Sequence, residues 1–194
     1  RHVLVIGAEC LSRVTDYTDR GSCILFGDGS GAVVLGPSDG ESAVLYNELG
    51  ADGSQPDILK IPAGGSRRPI DAEALKNRDN YMHLAGRDVF KQAVTKLSEL
   101  LERMVEDTGI SLDEIKCVVP HQSNIRIVDA AFKRVDLSTD KAYMNIDRVG
   151  NTLAASIPIA LAEAVEEKHI ERGDLVLLMA FGGGLTWGIT LIRF

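Results

Sequence analysis

Apolar residues fall into two kinds of run along the chain, and the change from one to the other near residue 81 organises the sequence. Residues 2–8, His-Val-Leu-Val-Ile-Gly-Ala, form a short unbroken run, the pattern of a strand buried on both faces. Runs at 22–26 and 32–35 flank Gly27-Asp28-Gly29-Ser30-Gly31, which predicts two strands joined by a glycine-rich hairpin turn. Residues 37–80 carry glycine and proline throughout and predict loops, with an edge strand at 42–49. From Tyr81 the period becomes helical: Met82, Ala85, Val89, Phe90, Ala93, Leu97, Leu100, Leu101, Met104 and Val105 share one stripe. Gly109 ends that helix, and Ser111 with Glu114 forms a capping box for a short second one. There follow a strand at 116–119, a helix at 124–135, a strand at 142–146, a helix at 152–168, and strands at 175–181 and 187–194 around Gly182-Gly183-Gly184. The alternation predicts an α/β fold, a mostly parallel sheet covered by helices and closing on an antiparallel hairpin.

Composition sets bounds on this picture. The 194 residues are 45% hydrophobic, 25% charged and 5% aromatic, an ordinary globular profile. A chain of this size can bury roughly 70% of its unfolded surface, so it needs neither disulfides nor a structural metal. Lys plus Arg, 21, against Asp plus Glu, 28, gives a formal charge of −7, which argues against nucleic acid as a partner. The apolar run at 175–181 is far short of the roughly 20 residues that span a bilayer, so no membrane association is expected. Cys10, Cys23 and Cys117 are odd in number and lack metal-ligand spacing, which favours a reduced, cytoplasmic setting. The chain opens on Arg1 and enters directly into a strand, the pattern of a fragment whose upstream residues would flank that strand.

Crevices in α/β sheets open at the C-terminal ends of parallel strands, and three segments qualify. His121 follows one strand, Asn151 another, and Gly182-Gly183-Gly184 a third. Taken singly, each has a structural explanation: a hydrogen-bonding histidine, a helix-capping asparagine, a tight turn. Their chemical explanation is that an imidazole, a carboxamide and closely approaching backbone N–H groups are all suited to an oxyanion. Gly27 to Gly31 lack the Lys-Ser/Thr of a phosphate loop. Cys23 and Cys117 lie in apolar runs and read as inert; Cys10 is at a strand end but opens no helix.

Together, Pro120-His121-Gln122-Ser123-Asn124, then Gly150-Asn151-Thr152 with Ala154-Ala155-Ser156-Ile157-Pro158, then Ala180-Phe181-Gly182-Gly183-Gly184 with Thr186-Trp187-Gly188, closely resemble the C-terminal signatures of the β-ketoacyl-acyl carrier protein synthase III family. Asp19-Arg20-Gly21, Phe26-Gly27-Asp28-Gly29-Ser30-Gly31-Ala32 and His83-Leu84-Ala85-Gly86-Arg87-Asp88-Val89-Phe90 extend the resemblance over nearly the whole chain. It implies a thiolase-like fold of αβαβα layers, usually a homodimer. Residues 1–40 would be the end of the N-terminal half, 41–80 linker and loops, and 81–194 the C-terminal half.

The implied activity is decarboxylative condensation of acyl-coenzyme A with malonyl-acyl carrier protein, starting fatty acid synthesis without cofactor or metal. The nucleophilic cysteine would lie on a missing N-terminal half, upstream of Arg1. By the same resemblance His121 and Asn151 are the catalytic pair, Gly183 serves the oxyanion hole and Phe181 lines the active site. Arg20 and Asn124 contact coenzyme A, and Arg126 faces the docked carrier protein. Leu153 and Asp136 depart from the family, which commonly has a small or polar residue at the first position and a glycine at the second. The alternatives are a related enzyme of polyketide or secondary metabolism, and an inactive half-domain that binds coenzyme A or carrier protein.

Overall fold

The computed structural model describes residues 1–38 and 40–194. Its centre is a four-stranded sheet built from β3 (Ala43–Ala51), β6 (Cys117–Pro120), β7 (Leu175–Gly182) and β8 (Thr186–Arg193), in the order β3-β8-β7-β6. Strands β6 and β7 run parallel, while β7–β8 and β8–β3 are antiparallel. The expected mostly parallel sheet is therefore corrected to a mixed one with a single parallel ladder. Two features cause the change. Residues 142–146 form no strand and contribute only an isolated bridge between Val118 and Ala142. The edge strand foreseen at 42–49 exists, runs on to Ala51, and pairs with β8, so part of the expected 41–80 linker belongs to the sheet.

The helices cover this sheet on both faces, and the strand period of two divides the core between them. Leu177, Met179, Ile189 and Leu191 pack with Leu97, Leu100, Leu101, Met104 and Phe132 on one side. Val119 and Val176 pack with Tyr143, Ala160, Leu161 and Ile170 on the other. Each fully buried leucine in such a layer contributes roughly 1.5–3 kcal/mol over its exposed state.

The first layer is made by α2 (Gly86–Thr108), about 34 Å long at 1.5 Å per residue, and α3 (Ile125–Arg134). Gly109 caps α2 at φ +70°, and its N–H bonds the Val105 carbonyl. The Ser111–Glu114 capping box is present on the 3₁₀ turn Leu112–Glu114. The helix starts five residues later than its stripe suggested. Residues 81–85 are claimed by tertiary bonds instead: Met82 N–H donates to Val14, Ala85 N–H donates to Ile58, and β5 (His83–Leu84) pairs with β4 (Leu59–Lys60). A short helix, α1 (Ala72–Lys76), precedes them. On the opposite face lies α5 (Ser156–Glu166), entered through the 3₁₀ turn Leu153–Ala155. Pro158 sits in its first turn, where a missing N–H leaves no intrahelical bond unmade.

β1 (Val3–Glu9) pairs antiparallel with β2 (Gly29–Leu35) in a separate ribbon. Burial of β1 on both faces is not what the structure has. Val3 to Ile6 are 47–61% exposed, because β2 occupies one edge only; Gly7 is the one buried residue of the strand. The hairpin expected around Gly27 to Gly31 is also corrected. Residues 21–25 are turn, Phe26 makes a lone parallel bridge to Asn151, and Gly29 to Gly31 are already inside β2. Glycine is needed there for close approach. Gly7 and Gly31 are cross-strand partners, and a Cβ on them would lie 2.2 Å from the Ala154 carbonyl oxygen and 2.8 Å from the Ile159 nitrogen.

No helix among the described residues is long and apolar enough to cross a membrane.

Candidate active site

Strand β6 delivers His121. Its backbone N–H extends the ladder to Met179 at 2.7 Å, and the chain then turns into α3, capped by the Asn124 side chain on the Arg126 N–H. The ring Nδ1 lies 2.6 Å from Ser156 Oγ at the start of α5. The other ring nitrogen has no partner among the described residues, and the ring lines a cavity. Loss of hydration in this dense surround pushes the His121 pKa down to about 4, so the imidazole is neutral at physiological pH.

Asn151 reaches the same place from another direction. The helix α4 (Ile146–Val149) ends at Gly150, φ +69°, and Asn151 is then fixed by its backbone to the front of the chain. Its N–H donates to Leu25 at 2.8 Å, and its carbonyl accepts from Gly27 at 3.0 Å. Its side-chain Oδ1 accepts the Leu153 N–H at 3.0 Å, which leaves the Nδ2 donors for the cavity that the residue lines. Leu153 is held at φ +43°, a left-handed conformation that a leucine adopts only where its surroundings impose it.

The end of β7 supplies the third wall. Phe181, Gly182 and Gly183 join His121, Asn151 and Asn124 around a cavity of about 450 Å³, closed on its apolar side by residues such as Leu59, Val89 and Phe90. A second cavity of about 390 Å³ adjoins it, lined by Leu49, Ile157 and Trp187 among others. His121, Leu153, Phe181 and Gly182 line both and form the partition between them.

Of the residues singled out in the sequence, His121, Asn151, Phe181, Gly183 and Asn124 thus surround one space. Arg20 and Arg126 do not line it; both are exposed, Arg20 beside the lining residue Gly21 and Arg126 in the first turn of α3. None of the three cysteines lines either cavity. Cys10 is exposed, and Cys117 is buried with its thiol pKa raised by loss of hydration. Among the described residues, no group of His, Cys, Asp and Glu is arranged to hold a metal ion. Asp136, where glycine was expected, does take a glycine-like φ of +55°.

Two contributors escaped the sequence reading. Ser156 stands in the sequence only as part of a motif, since nothing local tells that its hydroxyl meets a ring 35 positions earlier. In the sequence the apolar wall from 59 to 90 falls in linker and helix, because its residues converge only through the β4–β5 pairing.

A mixed sheet between helical layers, with an imidazole and a carboxamide brought to one cavity at the strand ends, defines a chain of the thiolase-like class. Residues 1–53 match the family model described as 3-Oxoacyl-[acyl-carrier-protein (ACP)] synthase III, and residues 105–194 match the model of its C terminal. The chain belongs to this synthase III family. It is 47% identical over 194 residues to the β-ketoacyl-[acyl-carrier-protein] synthase III of Clostridioides difficile, covering all of this chain and 59% of that protein. Among solved structures, the 3-oxoacyl-[acyl-carrier-protein] synthase III of Aquifex aeolicus is 42% identical with a TM-score of 0.87, over 100% of this chain and 58% of its own. The priming β-ketosynthase of the R1128 polyketide biosynthetic pathway is 30% identical with a TM-score of 0.83, over 99% and 57%. The chain therefore spans about three fifths of the length of such relatives.

Proposed function

We propose that this chain carries the decarboxylating half of a β-ketoacyl-acyl carrier protein synthase III, an acyltransferase that starts fatty acid synthesis. The observation that carries the reading is that an uncommitted ring nitrogen of His121 and the uncommitted carboxamide N–H groups of Asn151 meet at a single cavity. An acyl group enters from acyl-coenzyme A and is held as a thioester on a cysteine outside this chain. Malonyl-acyl carrier protein then places its thioester carbonyl against His121 and Asn151. The bond from the α-carbon to the carboxylate breaks and carbon dioxide leaves. Its electron pair becomes an enolate whose oxygen is stabilised by the two N–H donors, each such donor being worth roughly 10²- to 10³-fold in rate. The enolate carbon attacks the acyl thioester, whose oxyanion is met by the Gly183 N–H. The cysteine thiolate leaves and the β-ketoacyl product remains on the carrier protein.

A neutral imidazole suits this role, because it donates without adding a full charge to the site. Arg20 and Asn124 serve the coenzyme A arm, Phe181 lines the acyl path, and Arg126 meets the acidic carrier protein. No cofactor or metal takes part, and the working protein is a cytoplasmic homodimer. The same donors would serve an enzyme that primes polyketide synthesis, a reading favoured only by the 30% identity to one such synthase.

The test is His121→Ala in the complete enzyme. Transfer of acetyl from acetyl-coenzyme A to the cysteine is expected to survive, while decarboxylation of the malonyl thioester falls by about 10²-fold or more. Condensation at the unaltered rate would overturn the assignment.

A further inference from the structure

Ser156 is fully buried at the start of α5, and its hydroxyl stands between a ring nitrogen and a carbonyl oxygen. Nδ1 of His121 is 2.6 Å away, and the Leu153 carbonyl is 2.8 Å away. A hydroxyl carries one proton, so only two arrangements exist. If the proton points to Leu153, Nδ1–H must donate to Oγ, and the cavity-facing Nε2 is a bare lone pair. If it points to Nδ1, the ring carries its hydrogen on Nε2, and the cavity receives a donor.

One feature of the structure permits the second arrangement and another favours it. The Leu153 carbonyl already accepts the Ser156 backbone N–H, so it keeps a partner when the hydroxyl turns away. Nδ1 also meets the N-terminal end of an eleven-residue helix, where the positive end of the dipole favours a lone pair over an N–H hydrogen. We propose that Ser156 is a positioning residue that acts through His121: its hydroxyl donates to Nδ1 and thereby holds the ring as the Nε2–H tautomer. The catalytic consequence rests on the function proposed above. An acceptor at Nε2 would repel an enolate oxygen, so the serine decides whether His121 is useful there.

The tautomer can be read without any activity. In the full-length protein labelled with ¹⁵N-histidine, the His121 resonances are identified by their absence in His121→Gln. The expected spectrum has a bare, pyridine-type Nδ1 and a protonated, pyrrole-type Nε2; the reverse assignment overturns the proposal. Ser156→Ala is expected to mix the tautomers and lower malonyl decarboxylation by up to about 10²-fold, while acyl transfer to the cysteine holds. Ser156→Thr, which keeps the hydroxyl, is expected to restore the Nε2–H form. Unchanged imidazole shifts in Ser156→Ala would also overturn the proposal. An Nε2–H ring in an enzyme that does not condense acyl and malonyl thioesters would sink the proposed function and leave the role of Ser156 in setting the tautomer intact.

Discussion

Gln122 Oε1 accepts the backbone N–H of Asn145 at 3.0 Å, and this bond joins the loop that carries His121 to the segment that leads to Asn151. The glutamine is fully buried and completes its inventory there. Oε1 also takes the Ile146 N–H at 3.2 Å, and Nε2 donates to the carbonyls of Pro120 at 2.9 Å and Tyr143 at 3.1 Å. A side chain thus does for residues 143–146 what a neighbouring strand would otherwise do, which is why that apolar stretch is not a strand.

Gln122→Ala should therefore cost far more than a surface change. It strands buried N–H and carbonyl groups, each worth roughly 1–3 kcal/mol when left unsatisfied, and opens a void. A loss of about 3 kcal/mol or more in unfolding free energy is expected from urea denaturation. A change below about 1 kcal/mol would mean that water replaces the side chain without penalty.

The Phe26–Asn151 bridge makes a second point of leverage. A Cβ on Gly27 would lie 2.1 Å from the Val149 carbonyl oxygen, so alanine there forces apart the backbones that fix Asn151. Gly27→Ala is expected to destabilise by roughly 1–3 kcal/mol, as overpacking does. Gly53→Ala provides the comparison, since nothing lies within 4 Å of that added carbon, and should stay within about 0.5 kcal/mol of the parent. Equal melting behaviour of the two variants would contradict this account.

Stability should also depend on pH through His121. Its pKa falls from an ordinary 6.5 to about 4 on folding, through loss of hydration. Between those values the unfolded chain binds more protons than the folded one, so folding stability rises with pH. The contribution is fully present above about pH 6.5 and lost progressively as pH falls from there through about 4, amounting to roughly 3 kcal/mol. Comparison of unfolding free energies of the parent and His121→Gln across this window isolates it. The variant is expected to have the shallower slope; parallel curves would show that the ring titrates normally.

Local patterns carried a good deal of this protein. The α2 stripe, the Gly109 stop and the Ser111–Glu114 box all recur where the sequence predicts them, because each depends on residues within one or two helical turns. The presence of His121 and Asn151 at strand and helix junctions was legible for the same reason. The signatures around them were long enough to indicate the family.

Tertiary structure decided the rest. Whether an apolar run such as 142–146 becomes a strand depends on which hydrogen-bonding groups lie beside it, and here Gln122 supplied them. Whether Gly27 to Gly31 make a turn or a strand start depended on how closely α5 approaches. The contact of Ser156 with His121 depends on two elements 35 residues apart meeting across the end of a sheet. Local sequence sets dihedral preference and polarity over a few residues; pairing, close approach and the partner of a buried polar atom are properties of the packed chain alone.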